Sequence, residues 1–500
     1  MQKKSSRNFI LPLFIAGVFA CMLVFFFGMH PIVVLDSDDW IYISYSRPAV
    51  PSPTFWNPSK ILPELLMPLC GTLGAALYHM TGYGYIESIS LMFAIALSAF
   101  IAIYTAEFTR LIKSRYALSD GASVFFGAIF LALHFAVFAV SDSDNKYMFW
   151  SYDANCYFNY TIPALLNCSL VMYFMRTGLL TRFFTKENII SKGILAVIIY
   201  LAIFSNLFDS VILAVYVFML CLHDLINTIR SKELFISFIK KDLAGILILV
   251  LWVIAALFDA LGGRASASGG LSAETVGETL HQLGSVFSGI SAIFIIVCAL
   301  FIAGAVICFF TSGRDAKRLL AWSVLDAVCA MLITVFLVLL CSMVGPAYII
   351  RPQVLLAVFF PLMTIVISCG AYAVSRQPYA AIVLPIILLL TLSLTNKQGV
   401  TFAESNTMNL PPQTCIDIDN DLINQAVEFD KGTGDELVLQ VIDTGYDDNW
   451  PHTDFMAFGF KQSLVKHGLI TRDFNITVHW STEFNAAHGL NITYFSPDRY

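Results

Sequence analysis

Charge is what this chain has least of. Only 13% of its 500 residues are Asp, Glu, Lys or Arg, and 58% are hydrophobic; soluble globular chains carry roughly 25% charged residues. With a mean hydropathy of +0.74, a soluble enzyme is excluded and a polytopic membrane protein is defined. No CxxC or His/Cys metal spacing occurs. Of the 11 cysteines, Cys21, Cys168, Cys221, Cys298, Cys308, Cys329, Cys341 and Cys369 fall in apolar runs, where the thiol acts as a small hydrophobe. A disulfide between loop residues Cys70 and Cys156 stays open. A phosphate loop is also missing: Lys431-Gly-Thr-Gly434 precedes a strand, with no helix and following Lys-Ser/Thr. The lack of a fixed-period repeat weakens transporter folds built from paired halves. The net charge of -6 says little about partners, because a membrane protein sorts its charges by side.

Long apolar runs are what is present. Lys3, Lys4 and Arg7 precede a run from Phe9 to Leu35 that is too long for a signal peptide and lacks a small-residue cleavage site, so it reads as an uncleaved first span. Windows of about 20 apolar residues place further spans near 85–109, 121–140, 160–178, 189–205, 207–223, 243–261, 285–310, 320–342, 353–374 and 379–395, eleven in all. The stretch 61–80, with Pro63, Glu64 and Pro68, reads as a helix lying along the interface. On this map the segments of one side (the N-terminus, 110–119, 176–192, 224–242, 311–319 and 375–378) hold 18 of the 29 basic residues. The positive-inside rule then puts the N-terminus in the cytoplasm and the C-terminal region outside. Counting 61–80 as a span would invert that bias.

After residue 395 the composition turns polar, so the chain divides into a membrane domain, 1–395, with outer loops 36–84 and 141–159, and an extracytoplasmic module, 396–500. In the module Glu436–Ile442 and Phe474–Trp480 alternate as strands and Asp454–His467 reads as a helix, predicting a small α/β fold. The fold class is thus an all-α polytopic membrane protein carrying a small α/β domain.

Chemistry belongs in the outer loops. Asp36-Ser-Asp38-Asp39-Trp40 follows the first apolar run directly, and carboxylates at a membrane helix exit are costly unless they meet water, a cation or a task. One of them could act as a general base in a wet cavity; the alternative is that they cap the next helix. The same loop carries Trp56, Asn57, Lys60 and Glu64, and the second carries Asn145, Lys146, Tyr147, Trp150 and Asp153 among six aromatics. Such a set can form sugar-binding platforms or an interfacial aromatic belt. Arg351, in Tyr348-Ile-Ile-Arg-Pro-Gln353, wants an anion such as a lipid phosphate, unless it snorkels to ordinary headgroups. Arg264, in the Gly/Ser-rich stretch 262–273, reads as a flexible-loop charge, while His134, Asp209, Asp259 and Asp326 read as satisfied structural groups. Asp447, Asp448, Asp454 and His452 could hold a cation or simply form a solvated loop.

An inside N-terminus, paired acids Asp38-Asp39 just after span one, interfacial helices, about eleven spans and an outer C-terminal domain resemble the GT-C superfamily of membrane glycosyltransferases. Within it, the layout is most similar to the bacterial serotype-converting (GtrII-like) glucosyltransferases, with further support in Trp56-Asn-Pro58 and Asn449-Trp-Pro451. The resemblance implies inverting transfer of a hexose from a polyprenyl-phosphate donor to a hydroxyl of a surface glycan or glycolipid at the plasma membrane, without metal or cofactor. Asp38 or Asp39, with Asp36 beside them, would deprotonate the acceptor. Arg351, with Lys146 and Lys60, would hold the phosphate, and Trp40, Trp56, Asn57, Glu64, Asn145, Tyr147 and Trp150 would line the substrate. The alternatives are a polymerase or ligase using a diphosphate-linked donor, which would lean on more outer-loop Arg and His than the chain has, and a lipid or glycan transporter, which would need charges deep within several spans.

Overall fold

The computed structural model describes residues 9–139, 145–181, 183–186, 188–311, 316–377 and 401–490. Helix α1 (Ile10–Leu23) ends in a π-helical turn, Val24–Met29. Then come α2 (Ser37–Tyr42), α3 (Pro63–Thr81), α4 (Tyr85–Tyr116) and α5 (Asp120–Ala136). The short α6 (Ala154–Cys156) passes through a π turn, Tyr157–Thr161, into α7 (Ile162–Thr177). Next are α8 (Phe183–Lys186), α9 (Ile189–Ile203), α10 (Leu207–Arg230), α11 (Phe235–Leu261), α12 (Gly263–Ser266) and α13 (Ala273–Ser288). The bundle closes with α14 (Ala292–Thr311), α15 (Lys317–Val344) and α16 (Pro352–Arg376).

Seven helices among the described residues are long and apolar enough to cross a membrane: Ile10–Met29, Tyr85–Tyr116, Leu207–Arg230, Phe235–Leu261, Ala292–Thr311, Lys317–Val344 and Pro352–Arg376. This corrects the expectation of eleven. Apolar windows cannot separate a full crossing from a shorter helix sheltered by its neighbours. The windows at 121–140 and 189–205 are the shorter apolar helices Asp120–Ala136 and Ile189–Ile203, and that at 160–178 is Ile162–Thr177, 16 residues long and mostly buried. The window at 285–310 begins only at Ala292, because a break at Gly289 ends the amphipathic α13 first. The last window, 379–395, and the boundary at 395 lie outside the described residues.

Helices α4 and α16 form the centre, α4 against α1, α3, α5 and α7, and α16 against α14 and α15. Phe108 of α4 stacks on Phe130 of α5 at 3.6 Å. Following the chain up and down the bundle, the C-terminal ends of α1, α9, α11 and α15 and the N-terminal ends of α7, α10 and α16 gather at one end. There the Phe204 carbonyl, just past α9, accepts from Ile61 N and Leu62 N.

Residues 401–490 cover that same end. Helix α17 (Pro412–Asp430), β1 (Glu436–Ile442), α18 (Met456–Lys466), β2 (Asn475–Ser481) and α19 (Thr482–Ala487) surround a two-stranded parallel sheet with Glu436 opposite Asn475. Leu437, Leu439 and Val441 of β1 pack inward, as the period-2 alternation requires. Helix α18 lies on α2 so closely that a Cβ at Gly459 would stand 2.4 Å from Ile41 Cγ1, so only glycine fits.

Candidate functional site

Where the helix ends gather, a cavity of about 380 Å³ opens, lined by Asp38, Tyr42, Trp56, Asn57, Lys60, Tyr152, Asp153, Asn155, Cys156, Asn159, Tyr160, Arg264, Tyr348, Arg351, Thr407, Asp448 and Trp450. Its carboxylates come from three segments: Asp38 after α1, Asp153 just before α6 and Asp448 in the C-terminal region. The chain leaves α1, runs extended and turns into α2, whose first turn bears the three aspartates.

The three aspartates have different fates. Asp39 is buried; its Oδ2 accepts from Leu35 N at 3.2 Å and Asp36 N at 3.3 Å, and its Oδ1 accepts from Asn155 N at 2.7 Å. Asp36 is fully buried and accepts from the Thr407 hydroxyl. Asp39 serves the backbone at the start of α2, Asp36 is the N-cap residue held by Thr407, and neither lines the cavity. Asp38, one position between them, is left facing the cavity. Burial and the nearby Asp153 carboxylate push it up to about 6, against the opposing pull of Lys60 and Arg264.

The cationic wall is assembled from three distant segments. Lys60 is buried, with Nζ 5.3 Å from the Tyr160 ring centroid; burial and the neighbouring Arg264 lower it to about 8. Arg351 is the N-cap of α16 and lies over Tyr348 at 4.0 Å and Tyr152 at 5.3 Å. Its position at the start of a long helix adds the positive end of the helix dipole. Arg264 donates to Tyr348 Oη at 2.9 Å, and the field of Tyr160 raises its pKa. Among the described residues none of these three cations is in an ion pair with a carboxylate. Three cations that have no salt-bridge partner among the described residues face one cavity, an arrangement with the chemistry to hold an anion.

Arg264 overturns the flexible-loop expectation. Its turn, α12, is pinned by Gly263 N to Phe55 O at 3.3 Å and Arg264 N to Trp56 O at 3.1 Å. Gly262 and Gly263 are needed for that approach, since a Cβ on them would lie 2.4 Å from Pro58 Cδ and 2.8 Å from Trp56 Cε3. The loop 55–64 is itself held by Arg47, which donates to Asn57 O at 2.6 Å, Pro58 O at 3.2 Å and Glu64 Oε2 at 3.2 Å.

The structure brings Asp38, Trp56, Asn57, Lys60, Asp153, Arg351 and Asp448 together and places the remaining candidates elsewhere. Glu64 is taken by Arg47. Trp40 is buried edge-on against Phe460 at 4.7 Å. Lys146 lies outside, over Trp150 and Tyr152 at 4.7 and 4.8 Å. Asn145 Nδ2 donates to Thr401 O and Trp150 Nε1 to Glu404 O, and Tyr147 is buried, stacked on Phe135 at 5.1 Å. These groups tie the second loop to the segment 401–405. Asp142 and Asp144, the two further acids of the second outer loop, lie outside the described residues. Cys70 and Cys156 are both free and buried. His134 and Asp259 are satisfied by Phe130 O, Tyr104 and Ser59, whereas both oxygens of buried Asp209 lack a partner.

Thr407, Asp448 and Trp450 enter from the C-terminal region, where Trp450 belongs to the Asn449-Trp-Pro451 stretch and Thr407 carries no sequence signal. That region also fixes α2: Ser37 Oγ donates to Pro451 O at 2.6 Å and accepts from Thr453 N at 3.0 Å, and Ser463 Oγ donates to Trp40 O at 2.5 Å. His452 is buried and turned inward while Asp447 and Asp454 are exposed, so the tail acids and His452 do not converge. Among the described residues no group of three or more His, Cys, Asp or Glu could hold a metal ion.

Fold and cavity together define a helical membrane-embedded protein with a polar, charge-separated pocket at one end of its bundle. No protein-family model, curated protein or solved structure matches the chain.

Proposed function

We propose that the protein is a membrane glycosyltransferase that moves a sugar from a polyprenyl-phosphate carrier to a hydroxyl of a cell-surface glycan or glycolipid. The observation that carries this reading is one cavity holding Asp38 together with the three cations Lys60, Arg264 and Arg351. Asp38 takes the proton from the acceptor hydroxyl. The acceptor oxygen forms a bond to the anomeric carbon as the bond from that carbon to the phosphate oxygen breaks, with inversion. The departing phosphate is stabilised by Arg351, Arg264 and Lys60, which are fixed before the reaction begins. Trp56, half-exposed at the rim, and Trp450 offer faces for a sugar ring. At about 380 Å³ the cavity lies near the small end of ligand sites, roughly 300–1,000 Å³, which suits one sugar and its phosphate better than an oligosaccharide.

The bias of Lys and Arg toward the other end of the bundle, as at Arg110, Lys113, Arg115, Arg230, Lys240 and Arg318, favours that end as cytoplasmic and the cavity as extracytoplasmic. The third cation, Arg264, favours a second reading in which the donor is a polyprenyl diphosphate and the enzyme a polymerase or ligase. Purified protein in proteoliposomes, offered polyprenyl-phosphate hexoses and a polyprenyl-diphosphate oligosaccharide beside a glycolipid acceptor, decides the matter. Transfer from the monophosphate alone is expected, and transfer from neither donor rejects both readings.

A further inference from the structure

The opposite end of the bundle has a cavity of its own. It measures about 350 Å³ and is lined by Arg115, Tyr116, Arg318, Tyr372, Ser375 and Arg376, with Ala117 and Leu319. These residues come from the C-terminal ends of α4 and α16 and the first turn of α15, so three helix ends bring three guanidinium groups to one opening. Arg115 is only 5% exposed. Its side chain lies flat over Trp322 at 4.2 Å, and its Nη1 is 3.5 Å from Asp326 Oδ2. Its Nη2 reaches only the Met175 sulfur at 3.5 Å, and Arg115 Nε and the Tyr116 hydroxyl have no hydrogen-bond partner among the described residues. A buried guanidinium with open donors is costly unless something accepts from it. Arg318 donates to the Arg115 carbonyl at 3.0 Å, and the N-terminal end of the 28-residue α15 adds the positive end of its helix dipole.

We infer that this cavity is a second anion site, for a phosphate group carried by an anionic lipid headgroup, separate from the sugar-transfer cavity. Three arginines around a partly enclosed pocket match phosphate by fork geometry as well as by charge. Their place at the end of a membrane helix bundle, with tyrosines beside them, is where basic pockets between helices meet headgroups. The same chemistry would hold a free phosphate compound, and the test separates the two sources.

Full-length protein is delipidated in detergent and titrated by native mass spectrometry with phosphatidylglycerol, phosphatidylcholine or inorganic phosphate. Arg318→Gln is the variant of choice, because Arg318 is exposed and its replacement leaves the buried Arg115 and Asp326 together; Arg351→Gln reports on the other cavity. The expected result is preference for phosphatidylglycerol over phosphatidylcholine, weakened about tenfold or more by Arg318→Gln and unchanged by Arg351→Gln. Inorganic phosphate binding with the same dependence on Arg318, and no lipid preference, assigns the site to a free phosphate compound. Equal binding of the two lipids without a phosphate adduct, or affinity indifferent to Arg318→Gln, overturns the inference.

Discussion

Asp38 and Asp39 are neighbours of the same type in one helical turn, and the proposed function gives them opposite duties, so replacing each by Asn should give opposite phenotypes. Asp38 faces the cavity and, among the described residues, accepts no backbone hydrogen bond; Asp38→Asn keeps its volume and removes its basicity. A positioned general base contributes roughly 10²–10⁴-fold, about 3–5 kcal/mol of barrier. Transfer should fall by that factor at unchanged stability. Asp39 accepts three backbone N–H groups with two oxygens, and Asn has only one. Its amide nitrogen must then face either Asn155 N or the pair Leu35 N and Asp36 N, leaving at least one buried donor unmet at a cost of about 1–3 kcal/mol. Asp39→Asn should therefore lower the unfolding temperature, with activity lost only in proportion to misfolded protein. The assay is transfer from a radiolabelled polyprenyl-phosphate hexose in proteoliposomes, beside detergent monodispersity and thermal unfolding. Full transfer by Asp38→Asn, or abolished transfer by an Asp39→Asn protein that melts like wild type, would refute the assignment.

Three further outcomes follow from the same geometry. Arg351→Gln and Arg264→Gln should each reduce transfer by about 10²–10³-fold, as for loss of one group stabilising a developing anion, whereas Lys146→Gln, outside the cavity, should leave the rate within a few-fold; equal losses at all three positions would count against the cavity. Activity should rise with pH through about 6 as Asp38 loses its proton and fall above about 8 as Lys60 loses its charge; Lys60→Arg, charged throughout, should abolish the alkaline limb alone, and a flat profile between these values contradicts the roles. Gly459→Ala forces α18 off α2 at an overpacking cost of about 1–3 kcal/mol, so it should lower both unfolding temperature and transfer; a variant as stable and active as wild type would show that this seat does not position Asp38.

What could be read from the sequence was whatever is local. The acids after the first apolar run, the lone Arg351 before Pro352 and the strand at Glu436–Ile442 are each marked within a few residues by charge against apolar background or by alternation. Arg264 was not legible, because its Gly-Gly-Arg turn looks like slack chain until Trp56 and Pro58, some 200 residues earlier, are seen to fill the space those glycines leave. Thr407 was hidden for the same reason, and Asn449-Trp-Pro451 stood out in the sequence without anything nearby that announces its packing on α2. The duties of Asp36, Asp38 and Asp39 could not be separated either, since one turn of helix decides which carboxylate meets backbone amides and which meets open space. The span count failed where hydropathy windows are blind, at helices such as Ile162–Thr177, whose cover is protein.

The most direct test is the structure of the protein by electron cryo-microscopy with a non-transferable polyprenyl-phosphonate hexose. The phosphonate should sit among Lys60, Arg264 and Arg351, with the anomeric carbon turned toward Asp38 and the sugar against Trp56 or Trp450. Density for the headgroup elsewhere, with this cavity holding only water, would contradict the account.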